Sequence, residues 1–263
     1  DDVNGYYLID KAYRKFYVAF DSLENKDLLI DLKDKVEKTY NNWYLDELSI
    51  KWSNSLNDNL NNQWRIHGLL PQKMFYSSFV EGHNQRTFVI VSDALRYESA
   101  RELTDILNAD RKGSCDITAM LGSIPSITKL GMASLLPNKN ISIEDNDIYV
   151  DGVSSEGTKN RDKILKSKNK DSLAIRYDDI KDLSSTDFRN LFTGKKVVYI
   201  YHNTIDATGD DPLKERNVFD AVETTFKEIS VLVSQLIDRS SATNIYVTSD
   251  HGFLYKREDL QSS

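Results

Sequence analysis

Thr87-Phe88-Val89-Ile90-Val91-Ser92-Asp93 is a run of β-branched and apolar residues that ends on a carboxylate. A continuous apolar run of this length marks a strand buried on both faces, as in a parallel sheet covered by helices. The same texture returns at Asp116 to Met120, Ser172 to Arg176, Lys196 to Tyr201 and Asn244 to Ser249, separated by longer amphipathic stretches. That alternation predicts an α/β fold: a mostly parallel sheet with helices on both faces. The clearest helix spans Pro212 to Asp238, where Phe219, Val222, Phe226, Ile229, Val233 and Leu236 recur every three or four residues, and it reads as a crossover between strands.

On the N-terminal side of this region, residues 1–80 carry Leu and aromatic residues at helical spacing, for instance Leu29, Leu32, Val36 and Tyr40, interrupted by the polar run Asn54 to Asn62. They predict a helical segment that packs and carries no chemistry. Residues 84–263 form the expected catalytic core. Within it, 138–171 turns polar, with a hairpin (Ile141 to Glu144, Ile148 to Asp151) around Asp145-Asn146-Asp147, and reads as an insertion over one end of the sheet.

Bulk composition narrows the class. Hydrophobic residues at 40% and charged residues at 29% exclude a disordered or fibrous chain. A net charge of −7 argues against a surface wholly devoted to nucleic acid, although it leaves room for a local basic cleft. Cys115 is the single cysteine, so neither an internal disulfide nor a thiolate zinc cluster can form, and any metal must rest on carboxylates and histidines. Apolar stretches are too short for a bilayer and no signal pattern opens the chain, which predicts a cytoplasmic protein without membrane contact.

The acids fall where strands end. Asp93 closes the first run, Asp206 follows Val197 to Tyr201 by a short loop, and Asp250-His251-Gly252 follows Ile245 to Ser249. In parallel α/β sheets the residues beyond the carboxyl ends of strands converge on one crevice. Carboxylates crowded there repel one another unless a cation neutralises them, so the cluster predicts a metal site. Oxygen ligands with one imidazole suit zinc, manganese or magnesium. Asp206 and Asp210, bracketing Gly209, are spaced to share a cation, and adjacent Asp250 and His251 can serve two ions, the arrangement for in-line phosphoryl displacement. Taken singly, each acid also suits a helix cap or a turn.

A nucleophile is sought in Ser123-Ile124-Pro125-Ser126-Ile127-Thr128-Lys129-Leu130-Gly131, an extended lead into a small-residue helix. A hydroxyl at that helix start meets free N–H groups that favour an anion. By spacing alone Ser126 and Thr128 are equivalent, and either also suits a helix N-cap.

The order Asp, Pro-Ser-x-Thr, Asp-x-x-x-acid and Ser-Asp-His-Gly resembles the alkaline phosphatase superfamily, especially its phosphodiesterase and phosphonoacetate hydrolase branches. Ser92 to Glu98, Asp151-Gly152 with Asn160 to Leu165, Tyr201 to Asp210 and Thr248 to Phe253 are similar to the PglZ domain of bacterial BREX phage-defence systems. That resemblance implies an alkaline-phosphatase-like fold, Thr128 as the nucleophile that becomes phosphorylated, and two divalent metal ions on Asp93, Thr128, Asp206, Asp210, Asp250 and His251. Zinc is the first expectation; Asp210 stands where the pattern has His, which turns the preference towards manganese or magnesium. Arg96, Lys129 and Arg161 are the candidate cations for substrate oxygens, with surface or ion-pair roles as the alternative. The pattern usually supplies a further histidine downstream of Asp-His, so this chain is expected to be a fragment truncated at its C-terminus. The implied function is a phosphomonoesterase or phosphodiesterase acting on a phosphate ester, a nucleotide or nucleic acid among them, within a phage-defence system. The alternative is a catalytically weak interaction module that binds other BREX proteins such as the methyltransferase.

Overall fold

The structure is a computed structural model that describes residues 5–59, 65–110, 113–209 and 217–255. Its centre is a four-stranded sheet built from β2 (Thr87–Ser92), β7 (Ser172–Arg176), β8 (Val197–His202) and β9 (Asn244–Thr248), in the order β7-β8-β2-β9 with every neighbouring pair parallel. Side chains alternate between the two faces of a strand, so two cores form. Phe88, Ile90, Val198 and Ile200 face one of them. There they meet Leu103 of α4 (Tyr97–Ala109), Phe188 and Phe192 of α7 (Ser185–Phe192), and Phe226 and Ile229 of α9 (Val218–Ser240). Val89, Val91, Tyr199 and Tyr201 face the other, against Met132 and Ala133 of α5 (Thr128–Ser134) and Ile164 and Leu165 of α6 (Gly157–Lys168). The α/β expectation, with helices on both faces, is met because each strand is apolar at consecutive positions.

Two expectations change in detail, and one lies partly outside the described residues. Asp116 to Met120 is not a strand of the main sheet: only β3 (Met120–Leu121) is extended, and it pairs in parallel with β1 (Leu70–Pro71). The crossover helix is described from Val218, and Pro212 lies outside the described residues. In 138–171 the hairpin forms as β4 (Ile141–Glu144) and β5 (Asp147–Val150), joined by β6 (Val153–Ser154). Its tight turn places Asp145 and Asn146 at φ 47° and 68°, the left-handed pair that a two-residue hairpin loop requires. α6 then covers the sheet beside β7, so the latter part of this stretch is a core element rather than an insertion.

The N-terminal part holds the helices α1 (Tyr7–Asp21), α2 (Ile30–Lys38) and α3 (Asp46–Asn59). Tyr13, Tyr17 and Phe20 of α1 belong to the first core, alongside Phe219 and Phe226 of α9. Arg14, fully buried, donates to Glu98 at 2.9 Å and to Glu223 at 2.6 Å, tying α1 to α4 and α9. No helix among the described residues is long and apolar enough to cross a membrane.

Candidate metal centre

β8, β2 and β9 are adjacent, and their carboxyl ends deliver Asp206, Asp93 and Asp250-His251 to one crevice. Asp206 rides on the first turn of α8 (Thr204–Gly209). The backbone of Asp93 is pinned by its N–H donating to the His202 carbonyl at 2.8 Å, which extends the β2–β8 pairing by one residue. Ala94 adopts φ 61°, a left-handed conformation uncommon for a residue with a side chain, and its N–H points at Asp250 Oδ1, 3.2 Å away. Backbone geometry thereby couples the β2 loop to the β9 loop.

Ligand atoms of Asp93, Asp206 and His251 lie within 4.8 Å of one another, a separation one cation spans. Asp93 and Asp250 are buried, at 5% and 2% exposure, and Asp93 Oδ1 and Asp250 Oδ2 accept no hydrogen bond from the described residues. Buried carboxylate oxygens without a donor are costly unless a cation or a proton satisfies them. Burial first, then the charges of Asp250 and Asp206, push the Asp93 carboxyl up to about 9, and Arg161 opposes that push. Without a cation, Asp93 therefore holds a proton at neutral pH.

His251 sits between the acids and Thr128. Its Nδ1 lies 3.0 Å from the Gly252 carbonyl, which only accepts, so in the neutral ring Nδ1 carries the proton. Nε2 then presents its lone pair to Thr128 Oγ1 at 2.9 Å, with Asp93 Oδ1 at 3.6 Å and Asp250 Oδ2 at 3.5 Å. A lone pair facing two carboxyl oxygens is repulsive unless a proton or a cation stands among them. Donor set, orphaned oxygens and tautomer all fit a divalent cation held by oxygen and imidazole.

Thr128 is the first residue of α5, preceded by extended Ile127, and it is the hydroxyl that meets His251. α5 approaches closely because its fourth residue is Gly131: an added Cβ there would collide with the carbonyl of Asp250. The structure thus brings together Asp93, Asp206, Asp250, His251 and Thr128. Asp210 lies outside the described residues.

The three expected substrate cations separate. Arg161 donates to the Ser155 carbonyl at 3.0 Å, lies 4.7 Å from the Tyr201 ring centroid and stays close enough to Asp93 to stabilise its charge. Arg96 points elsewhere: it pairs with Asp10 of α1 at 2.6 Å, donates to the Phe253 carbonyl and covers the Tyr255 ring. Lys129 donates to the Asn146 carbonyl on the hairpin turn, 3.1 Å away. Arg96 is therefore a packing cation, drawn to Asp10, whereas Lys129 is exposed beside the hairpin turn. His202 is also internal, with Nδ1 3.3 Å from Ser92 Oγ and Nε2 2.9 Å from Glu228 Oε2.

Sequence reasoning missed Gly131, Ala94 and Gln72. A small residue in an apolar helix and an alanine after an acid carry no distinguishing signal, and Gln72 lies in the segment to which no chemistry was assigned.

Residues 70–263 match the family model described as the BREX system PglZ alkaline phosphatase-like domain. The chain is 52% identical over 262 residues to the alkaline phosphatase-like protein PglZ of Bacillus cereus (strain H3081.97), covering 98% of this chain and 31% of that protein. It is 40% identical over 262 residues to the alkaline phosphatase-like protein BrxZ of Escherichia coli O9:H4 (strain HS), covering 95% of this chain and 30% of that protein. The chain thus spans under a third of the length of the curated relatives it matches.

Proposed function

Because the chain belongs to the PglZ family, the alkaline phosphatase-like domain of BREX systems, we propose that it is the metal-dependent phosphohydrolase core of a phage-defence protein, with Thr128 as nucleophile. The observation that carries this reading is the 2.9 Å contact of Thr128 Oγ1 with His251 Nε2, beside buried oxygens of Asp93 and Asp250 that lack a donor. Asp93, Asp206, Asp250 and His251 would hold two divalent cations, with Asp210 a further ligand by motif position. Zinc suits the imidazole, and the extra anion of Asp210 favours manganese or magnesium. Held there, divalent cations would neutralise charge on the transferring phosphoryl group and make the Thr128 hydroxyl a better nucleophile.

The chain's own groups account for the rest. Thr128 Oγ1 attacks phosphorus, and the bond from phosphorus to the ester oxygen breaks as the bond to Oγ1 forms. The departing ester oxygen takes up the proton that the Thr128 hydroxyl gives up, and leaves as the alcohol. Water then attacks the same phosphorus, the bond to Oγ1 breaks, and a proton of that water returns to Thr128 Oγ1. Arg161 is the cation available to the anionic oxygens, given its nearness to Asp93. The substrate class is a phosphate ester, with nucleotides, nucleic-acid phosphodiesters and phosphoproteins as the candidates.

With Zn²⁺ or Mn²⁺ the protein should hydrolyse a chromogenic phosphate ester, lose activity to a chelator, and fall by roughly a thousandfold or more in Thr128→Ala. Turnover that persists without divalent metal overturns the reading. One observation favours a second reading, an interaction module for partners such as the BREX methyltransferase: Leu28, Trp43, Ile50 and Trp52 expose large apolar side chains on the N-terminal helices. Metal-replete protein that cleaves no phosphate ester yet binds the methyltransferase would select it.

A further inference from the structure

Gln72 follows Pro71 at the end of β1, in a 3-10 turn, and is buried at 4% exposure. Pairing of Leu70 with Met120 and of Pro71 with Leu121 fixes it beside Ser123. Its Oε1 accepts from the Ser123 N–H at 3.0 Å, and its Nε2 donates to the carbonyls of Ser249 at 3.0 Å and Asp250 at 2.7 Å. The partners dictate the amide's orientation, since the N–H of Ser123 needs an acceptor and the two carbonyls need donors. Ser123 begins the five-residue lead to Thr128, while Ser249 and Asp250 precede His251. The Asp250 carbonyl is also the atom against which the Gly131 backbone is packed.

We propose that Gln72 is a positioning residue whose carboxamide holds the Thr128 segment and the Asp250-His251 segment in one frame, so that nucleophile and metal ligands stay in register. Only a carboxamide offers one acceptor and two donors from a single planar group, and all three are used here. An ionised carboxylate of the same shape would face the two carbonyls with no hydrogen, and a thioether would leave all three backbone groups unpaired in a buried place. The inference rests on the metal-hydrolase reading of this site, but its geometry can be tested without it.

The test is Gln72→Met in the whole protein, read in two ways. Zn²⁺ titrated calorimetrically should bind about tenfold or more weaker, as for other groups that orient metal ligands. Amide hydrogen exchange should speed up together in 120–127 and 249–254 while β2, β8 and α9 exchange as before. Unchanged exchange in those two segments, or acceleration spread evenly through the molecule, overturns the proposal. If the unsubstituted protein binds neither Zn²⁺ nor Mn²⁺, the metal reading fails and the exchange result alone decides the role of Gln72. Should Gln72→Met fail to fold, Gln72→Glu serves in its place under the same two readings.

Discussion

Burial, reinforced by the charges of Asp250 and Asp206, pushes the Asp93 carboxyl up to about 9, far above the value of an exposed aspartate. A folded-state pKa above the unfolded one makes a contribution to stability that is fully present below about pH 4 and is lost as pH rises through about 9. Between those limits the metal-free fold holds a proton that the unfolded chain has released. Asp93→Asn removes that penalty. Its metal-free melting temperature, followed by calorimetry with a chelator present, should match the parent near pH 4 and exceed it by roughly 3 °C or more at pH 9. The same variant should lose Zn²⁺ binding. An Asp93→Asn protein that melts below the parent at pH 9 would show that the carboxylate is stabilised by something other than a cation. Asp93 was legible because an acid ending an apolar run is distinctive. Its coupling to Asp250 through Ala94 was not, because a left-handed alanine leaves no mark in the sequence.

Among the elements, the junction of α5 with the loop after β9 decides whether Thr128 reaches His251. Gly131 makes that approach possible, since any Cβ would strike the Asp250 carbonyl. Gly131→Ala should cost about 1 to 3 kcal/mol in denaturant unfolding, as expected for overpacking, and should lower metal affinity and turnover together. An alanine variant with parental affinity and activity would mean that α5 can retreat without disturbing the site. The repeat of Phe219, Val222, Phe226 and Ile229 made α9 readable, because a helix against a sheet must keep its apolar stripe in phase. Asp116 to Met120 misled for the converse reason: its composition suits a strand, but only Met120 and Leu121 find a partner, in β1.

Across the whole molecule, the N-terminal helices and the sheet share a core instead of packing as separate units. Tyr13, Tyr17 and Phe20 are buried with Phe219, and Arg14 leaves Glu98, itself buried, dependent on α1 for its counter-charge. A chain begun at residue 65 would expose that apolar surface and leave Glu98 without the Arg14 guanidinium. It should be insoluble or lack a cooperative melting transition, judged by gel filtration and circular dichroism; a folded, monodisperse product would show the helices to be an appendage. By itself the sequence determined the α/β class, the parallel strands and the acids at their ends, because burial on both faces imposes a local pattern that reads directly along the chain. Which hydroxyl meets His251, that Arg96 pairs with Asp10, and that Gln72 and Gly131 lie against the Asp250 carbonyl came from the three-dimensional packing. Those are contacts between residues far apart in the chain, and their geometry depends on backbone carbonyls and N–H groups that every residue carries alike.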